Sequence, residues 1–406
     1  MTVIAFPRTR LRVPVAVGAC LVSFTAFCVA QRVADVSMID LMVYRAEGEA
    51  VRAGEDLYAL RATDARLPTT YPPFAALLFT TLTLLDTASM RLLATAGNLG
   101  LLVTFVWLTL RLVGHTRVAV AWWIAALAVW CEPVWTTLRY GQVNLLLAVL
   151  VLWDLSRRDH RRWAGAGIGI AAAIKLTPAL FIVFLLLTGS VAAVRHGAAW
   201  PWLRHACVAA ASFAGATLLA AAVLPYDSRR FWTRMVFETG RVGRTEDTAN
   251  QSLRGVLARL LHTADPGGWW PAVAVVAAAA GLAVAVAAAL RCERAWAASA
   301  CAATGLLISP ISWSHHWVWC VPMVVLLGSE AAGRGHGGRA CRAAAAVLGL
   351  VFCSYALWWV PHGSGRPELH QSGGQLALSA LYVAAACAFL ALTALKVTRW
   401  RTSRTA

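Results

Sequence analysis

The sequence predicts an all-α polytopic membrane protein, and three observations lead to that fold class. Hydrophobic residues make up 59% of the 406 residues, and charged residues make up 14%, against about 25% in soluble domains. The mean hydropathy is +0.64. Apolar runs recur along nearly the whole chain, and several approach the roughly 20 residues that a spanning helix needs. We therefore expect one transmembrane domain over 1–406, with no separate soluble domain.

The basic residues indicate membrane loops rather than a nucleic-acid surface. The formal net charge is +17, which in a soluble protein would suggest nucleic acid as a partner. Here the arginines stand in short clusters between apolar runs, as in the cytoplasmic loops of membrane proteins. The ten cysteines form no zinc-binding spacing. Membrane lipids are expected partners, and nucleic acid and metal are not.

The charge clusters also predict a topology. If they are cytoplasmic, both termini lie inside, and about twelve spanning helices are needed. Their expected positions are 13–34, 91–111, 118–137, 143–156, 163–176, 177–194, 206–225, 270–290, 296–311, 317–330, 343–360 and 375–396. The apolar stretch 70–85 contains Tyr71-Pro72-Pro73. If it crossed the whole membrane, the basic clusters after it would lie on the extracytoplasmic side. It is therefore predicted to be a re-entrant or interfacial helix.

Two long polar segments, at about 35–70 and 226–268, are predicted to be extracytoplasmic loops. The first should contain an amphipathic helix over Asp40–Gly54, lying along the membrane surface. Its apolar face is predicted from residues at helical spacing, namely Leu41, Tyr44, Gly48 and Val51.

Asp40 is the first candidate for chemistry, because it follows a spanning helix and is flanked by apolar residues. Burial raises the pKa of a carboxylate and a nearby cation lowers it, so such a group can be tuned as a general base. The alternative is a helix N-cap, because Asp before a helix accepts backbone hydrogen bonds.

A second group of polar residues lies at helix ends. Arg139, Gln142 and Asn144 open one apolar run, and the two amides offer the paired donors and acceptors that suit sugar hydroxyls. Lys175 sits between apolar stretches, where an ionisable side chain is a functional hypothesis. The alternative for Lys175 is a side chain that extends to the interface.

His315 and His316 lie at a predicted outer helix end between Trp313 and Trp317. Neighbouring helical residues point about 100° apart, so one of the two is expected to face any given site. Interfacial anchoring is the alternative, and metal binding is disfavoured because no carboxylate stands at ligand spacing. The 226–268 segment is predicted to lie outside, yet it contains several arginines, including Arg241 and Arg254. Arginine is usually more frequent on the cytoplasmic side. Phosphate or lipid-headgroup binding would explain their position.

Taken together, eight motifs resemble glycosyltransferase family 87, and in particular its polyprenyl-phosphate-mannose-dependent α-1,2-mannosyltransferases. They occur in the same order over about 40–320 of the chain. The motifs are Asp40–Tyr44, Thr70–Phe74, Glu132-Pro133, Tyr140–Asn144, Lys175–Pro178, Gly240–Gly243, Asn250–Gly255 and Ser309–Trp317.

The resemblance implies a GT-C fold in the plasma membrane, with an extracytoplasmic active site and no cofactor. It implies inverting transfer of mannose, in α-1,2 linkage, from a polyprenyl-phosphate-mannose donor to a lipid-linked mannoside acceptor. Asp40 would be the base, and one of His315 and His316 would face the donor phosphate. The predicted substrate-binding residues are Tyr71, Arg139, Gln142, Asn144, Lys175, Arg241, Asn250, Gln251 and Arg254. Transfer of another sugar, such as arabinofuranose, remains an alternative, and a lipid or sugar transporter is a more remote one.

Overall fold

The computed structural model describes residues 13–157, 162–197, 200–291, 293–331 and 336–402. Several arginines of the predicted cytoplasmic clusters lie outside the described residues, namely Arg8, Arg10, Arg12, Arg158, Arg161, Arg334 and Arg404.

The described chain is built almost entirely of helices. Through residue 196 they are α1 (Val13–Val33), α2 (Ile39–Ala53), α3 (Pro73–Phe79), α4 (Thr87–Leu112), α5 (Val118–Ala128), α6 (Glu132–Tyr140), α7 (Asn144–Leu155), α8 (Ala166–Ile174) and α9 (Ala179–His196). They continue as α10 (Trp200–Val223), α11 (Pro225–Thr233), α12 (Leu253–Leu260), α13 (Trp269–Ala289), α14 (Arg294–Ile308), α15 (Cys320–Glu330), α16 (His336–Cys353), α17 (Gly373–Ser379) and α18 (Leu381–Thr402).

Short 3-10 helices and one small hairpin complete the secondary structure of the described residues. The 3-10 helices are Thr80–Leu84, Met235–Phe237, Thr239–Arg241, Ser314–Trp319, Ala356–Trp358 and Pro367–His370. The hairpin pairs β1 (Arg61–Ala62) antiparallel with β2 (Leu67–Pro68).

The all-α, polytopic prediction is confirmed, but the count of about twelve spans is not. Within the described residues, five helices are long and apolar enough to cross a membrane, namely α1, α4, α10, α13 and α18. A sixth span results if α5 and α6 are taken together, although they meet at a bend of 78°. Other predicted spans coincide with shorter helices, such as the 12 residues of α7 and the 11 of α15.

The segment after Tyr71-Pro72-Pro73 forms a short broken helix. Pro73 begins α3, which has 7 residues, and the 3-10 helix Thr80–Leu84 follows directly. Proline suits the first turn of a helix because the amide it lacks would be unpaired there. These residues are too few to cross a bilayer, in agreement with the predicted re-entrant or interfacial helix.

The chain divides into two compact units, which alternate along the sequence. The first unit comprises Gln31–Leu101 and Thr137–Gly243. The second comprises Met1–Ala30, Leu102–Thr136 and Arg244–Ala406, of which the structure describes residues from Val13 onward.

In the first unit, α8 packs against α7, α9 and α10, while α2 packs against α3 and the 3-10 helix that follows it. The contact of α8 with α10 requires a glycine. A Cβ at Gly169 would lie 2.2 Å from the carbonyl oxygen of Ala209, so any larger residue would push the helices apart. Small residues commonly allow such close approach in membrane helices.

In the first unit, the predicted outside segment 35–70 packs against residues 226–243 of the other predicted outside segment. Leu57, Tyr58 and Ala76 are buried in one cluster with Phe231 and Met235. The buried carboxylate of Asp227 accepts a hydrogen bond of 3.1 Å from the backbone amide of Leu57. The stretch after α2 is therefore fixed against α11.

In the second unit, α13, α14 and α18 pack against one another, and α15 packs against α16. Alanine dominates the buried face of α14. Short side chains let neighbouring helices approach closely where lipid supplies no hydrophobic driving force.

Candidate active site

Helix α2 places Asp40 in its first turn. The N-cap is Met38, in a left-handed conformation, and no side chain caps the helix. The capping alternative for Asp40 is therefore contradicted. A carboxylate in a first turn is still favoured by the helix dipole, and its oxygens are available for other partners.

Gln142 is the partner of Asp40. Its Nε2 donates to Asp40 Oδ2 at 2.6 Å. Gly141 makes this approach possible, because it adopts a positive φ of 69° and a Cβ there would lie 2.7 Å from the Cβ of Leu41. The Tyr-Gly-Gln sequence thus has a local reason to contain glycine, since α2 lies directly against the α6–α7 turn.

Two tyrosines hold Gln142 from the other side. The hydroxyls of Tyr44 and Tyr71 donate to Gln142 Oε1 at 2.8 and 3.1 Å, and they lie 2.6 Å from each other. The ring of Tyr44 stacks on Phe79 with a centroid distance of 4.4 Å. The amide orientation of Gln142 is therefore fixed, so its Nε2 points to Asp40.

Lys175, the residue after α8, supplies positive charge to the same unit. Its Nζ donates to Asn144 Oδ1 at 3.2 Å and lies 5.4 Å from the centre of the Tyr71 ring. Asn144 in turn donates from Nδ2 to Thr137 Oγ1 at 3.3 Å. The structure thus brings five of the predicted residues together, namely Asp40, Tyr71, Gln142, Asn144 and Lys175.

The surroundings of Asp40 push its pKa in opposite directions. Burial raises the pKa above its ordinary value, whereas the hydrogen bond from Gln142 and the positive charge of Lys175 lower it. Burial is the largest of these effects. The result is a carboxylate of increased basicity whose ionised form is stabilised by two groups, as a general base requires.

Glu47 is a second carboxyl on α2 that sequence reasoning missed. It is fully buried, on the helix face that also carries Asp40 and Tyr44. Burial raises its pKa to about 8, the Thr69 side chain opposes that rise, and the negative charge of Asp40 adds to it. At neutral pH Glu47 is therefore mostly protonated.

The two predicted arginines of this unit have different surroundings. Arg139, near the end of α6, is exposed. Arg241 is half-buried, and its guanidinium donates to the carbonyl oxygen of Thr69 at 2.9 Å and lies 5.6 Å from the centre of the Tyr58 ring. Arg241 thus braces the segment that leads into Tyr71.

Other arginines of the 226–268 segment have partners inside the protein, which explains their unusual position. Arg230 pairs with Asp56, and Arg244 lies 3.4 Å from the carboxylate of Glu368. Arg259 is buried and donates to backbone carbonyl oxygens, including that of Ser379 at 2.9 Å. These arginines stabilise the fold.

In the second unit, Glu132 is the centre of a buried hydrogen-bond network. Its carboxylate accepts from Thr136 Oγ1 at 2.8 Å, Ser314 Oγ at 2.8 Å, Trp358 Nε1 at 3.2 Å and Tyr382 OH at 2.8 Å. Glu132 is fully buried. Its network joins the start of α6 to the 3-10 helix Ser314–Trp319 and to α18.

Asn250 and Gln251 are also fully buried in the second unit. Asn250 Oδ1 accepts from the backbone amide of Ser312 at 3.0 Å. Gln251 Nε2 donates to the carbonyl oxygen of Ser379 at 2.6 Å. Arg254 lies in the first turn of α12 and is partly exposed. Substrate binding by these three residues stays a prediction.

The two histidines lie in the 3-10 helix Ser314–Trp319 rather than in a regular α-helix. His315 is buried, and His316 is partly buried. Their rings meet edge to face at 88°, with centroids 4.7 Å apart. Their rings thus face different directions, and a role in the reaction stays a prediction.

Three important side chains were absent from the predicted site, namely Tyr44, Glu47 and Glu132. Tyr44 and Glu132 lay inside recognised motifs but received no role. In the part of the chain that the structure describes, no three His, Cys, Asp or Glu side chains are placed to hold a metal ion.

The fold and the first unit define a polytopic membrane protein with a buried polar centre, in which a carboxylate and an ammonium group are held by amides and tyrosines. The family model of glycosyltransferase family 87 matches residues 70–310. The chain belongs to that family.

Three of the similar proteins come from mycobacteria. One, from Mycobacterium tuberculosis, is a polyprenol-phosphate-mannose-dependent α-(1-2)-phosphatidylinositol pentamannoside mannosyltransferase, 35% identical over 77% of this chain and 70% of its own length. A protein of the same name from Mycolicibacterium smegmatis is 33% identical over 80% of this chain and 76% of its own length. A phosphatidylinositol mannoside mannosyltransferase from M. tuberculosis is 34% identical over 71% of this chain and 70% of its own length.

Among solved structures, ArnT from Cupriavidus metallidurans bound to undecaprenyl phosphate is similar over 91% of this chain and 77% of its own. The identity is 15% and the TM-score 0.39.

Proposed function

We propose that this protein is an inverting α-1,2-mannosyltransferase that moves mannose from polyprenyl-phosphate-mannose to a phosphatidylinositol mannoside or related lipid-linked mannoside. The observation that carries the proposal is the Asp40–Gln142 pair, fixed by Tyr44 and Tyr71, in a chain of family 87. The names of the relatives supply the sugar, the carrier and the acceptor class.

Asp40 acts as the general base. The acceptor hydroxyl attacks the anomeric carbon of mannose from the face opposite the polyprenyl phosphate, so the β-linked donor gives an α-linked product. As the new bond forms, the hydroxyl proton passes to Asp40. Gln142 keeps Oδ2 of Asp40 in place with a hydrogen bond of 2.6 Å, so the carboxylate needs little reorganisation during the reaction.

Lys175 stabilises the leaving group. The polyprenyl phosphate departs already ionised and gains negative charge as its bond to mannose breaks, so a fixed cation helps more than a general acid. One preorganised group of this kind is typically worth ~3 kcal/mol in the transition state. Asn144 fixes the ammonium group through a hydrogen bond of 3.2 Å.

The remaining predicted residues have roles that rest on the resemblance. One of His315 and His316 contacts the donor phosphate, and Arg139, Arg241 and Arg254 contribute positive charge to substrate binding. Asn250 and Gln251 bind substrate or support the loop that does so.

The protein works as a single GT-C membrane domain in the plasma membrane, with its reaction on the extracytoplasmic face. The clusters of arginine between apolar runs support that orientation. Donor and acceptor are both lipids, so each reaches the site from the bilayer.

The function is tested by a transfer assay with purified protein. Radiolabelled polyprenyl-phosphate-mannose is supplied with phosphatidylinositol mannosides of defined mannose number, and a polyprenyl-phosphate-arabinofuranose donor is supplied in parallel. We expect labelled product from the mannose donor, with label released by an α-1,2-specific mannosidase. Transfer of arabinofuranose alone, or a product that resists the mannosidase, would contradict the proposal.

A further inference from the structure

Two cysteine thiols lie close together in the second unit, and a third lies near them. The Sγ atoms of Cys131 and Cys353 are 3.2 Å apart, and Cys320 is a neighbour of Cys131. The three residues belong to different parts of the sequence. Cys131 lies in the bend between α5 and α6, Cys320 begins α15, and Cys353 ends α16.

The predicted topology places all three thiols toward the same side of the membrane. Each lies in the outer half of a predicted span, at 118–137, 317–330 or 343–360. Cys353 is exposed, Cys131 is partly exposed and Cys320 is buried. The Cys131–Cys353 pair therefore lies nearer the surface of the chain than Cys320.

We propose that Cys131 and Cys353 form a reversible disulfide, which is a modification site next to the Glu132 network. The proposal rests on the extracytoplasmic placement given above, because oxidising compartments are where protein disulfides persist. A disulfide bond is about 2.0 Å long, so the two sulfurs need to move closer by only about 1 Å.

The oxidant is a disulfide, carried by a thiol-oxidising protein or by a small molecule. The thiol of Cys353 loses its proton as it attacks one oxidant sulfur, which forms a mixed disulfide and releases one oxidant thiolate. Cys131 then attacks the Cys353 sulfur and releases the second thiolate. The two cysteines lose two electrons and two protons, and the oxidant is reduced to two thiols.

The bond would fasten the ends of helices that the Glu132 network also joins. Cys131 directly precedes Glu132, and Cys353 lies shortly before Trp358, which donates to Glu132 at 3.2 Å. A disulfide closing so long a loop strongly restricts the unfolded chain. Oxidation should therefore raise the thermal midpoint of the protein.

The test uses the full-length protein in its own membranes, with free thiols blocked by N-ethylmaleimide at lysis. Peptides separated without reductant are then analysed by mass spectrometry. We expect a peptide that links Cys131 to Cys353, lost after reduction and restored by oxidised glutathione. Reduction should also lower the thermal midpoint. If both thiols carry N-ethylmaleimide even after treatment with oxidised glutathione, or if Cys131 is linked to Cys320 instead, the proposal is overturned.

Matched variants exclude a general effect of losing a thiol. Cys131→Ser and Cys353→Ser should each abolish the linked peptide and the effect of reductant on the thermal midpoint. Cys28→Ser, which changes an exposed cysteine of α1, should preserve both. If a serine variant fails to fold, the peptide analysis of the unmodified chain still decides.

This result is separable from the proposed function. Mannosyl transfer without a disulfide would overturn only the redox proposal, and a disulfide in a chain that transfers no mannose would overturn only the function. After reduction, Cys353 should react with a membrane-impermeant maleimide added from outside. Failure to react from outside would contradict the placement on which the disulfide depends.

Discussion

Replacing Gln142 with methionine should change the pH dependence of the reaction rather than abolish it. Methionine has nearly the same length, but it cannot donate the 2.6 Å hydrogen bond to Asp40. Without Gln142 Oε1 as an acceptor, one of the Tyr44 and Tyr71 hydroxyls can donate to the other, which lies 2.6 Å away. The main loss is therefore the stabilisation of the ionised form of Asp40.

The size of the effect follows from that one bond. A hydrogen bond to a charged group is worth about 1.5–3 kcal/mol, and one pKa unit corresponds to about 1.4 kcal/mol. The hydrogen bond from Gln142 lowers the pKa of Asp40, so its removal raises that pKa. Only the ionised carboxylate accepts a proton, so the acid limb of the rate profile moves to higher pH.

The assay is mannosyl transfer by purified Gln142→Met protein between about pH 5 and pH 9, at saturating donor. The rate above the shifted limb should stay within a few-fold of the unmodified protein. Gln371→Met is a matched control, because Gln371 is equally buried but donates to Pro361 in the other unit. An acid limb that does not move, or an equal loss of rate at every pH, would refute the tuning of Asp40 by Gln142.

Three further predictions concern the charge of Lys175, the protonation of Glu47 and the membrane topology. Lys175→Ala should lower kcat about 10²-fold, since ~3 kcal/mol of charge stabilisation is removed, whereas Lys396→Ala, which breaks the pair with Glu330, should leave kcat unchanged. An equal kcat for the two variants would contradict the leaving-group role. The raised pKa of Glu47, about 8 against an ordinary 4.5, means that the folded chain keeps a proton that the unfolded chain has lost between those values. The free energy of unfolding contributed by Glu47 is therefore complete below about pH 4.5 and declines as pH rises to about 8. Glu47→Gln should remove this decline from thermal midpoints measured across that range, and an unchanged decline would show that Glu47 does not cause it. A cysteine introduced at the exposed Ser364 should react with a membrane-impermeant maleimide above the background of the native cysteines, while one at Ser156 should not. Labelling at position 156 but not at position 364 would contradict the predicted orientation in the membrane.

Helix α2 shows how much of the fold the sequence carries. The prediction over Asp40–Gly54 matches the observed Ile39–Ala53 closely, because apolar residues recur at helical spacing along one face. The same pattern missed Glu47, which is buried beside those residues. A charged residue contradicts an apolar pattern, and only tertiary packing places its carboxyl in the interior.

Five of the predicted site residues lie together in the first unit, but the hydrogen bonds that join them were not predicted. Asp40 and Gln142 are 102 positions apart in sequence, so no local spacing reveals their hydrogen bond. The motifs identified candidate residues separately. Their arrangement depends on Gly141 and on the two tyrosine hydroxyls, which become visible only when α2 meets the α6–α7 turn.

The span boundaries failed where the helices break. The predicted span 118–137 bends by 78° between α5 and α6, and Pro133 lies in the first turn of the helix that follows the bend. The predicted span 375–396 is interrupted between α17 and α18, where the carbonyl oxygen of Ser379 accepts hydrogen bonds from Gln251 and Arg259. Distant side chains satisfy the broken backbone, and hydropathy does not detect them.

The measurement that tests the central claim most directly is the turnover of purified Asp40→Asn protein with labelled polyprenyl-phosphate-mannose, accompanied by donor binding. Asparagine keeps the size of the side chain but cannot accept the acceptor's proton, so turnover should fall by about 10²–10⁴-fold while donor binding is largely preserved. Asp35→Asn, at an exposed position shortly before α2, is the control and should keep its activity. Turnover of the Asp40→Asn protein within a few-fold of the unmodified enzyme would contradict Asp40 as the catalytic base.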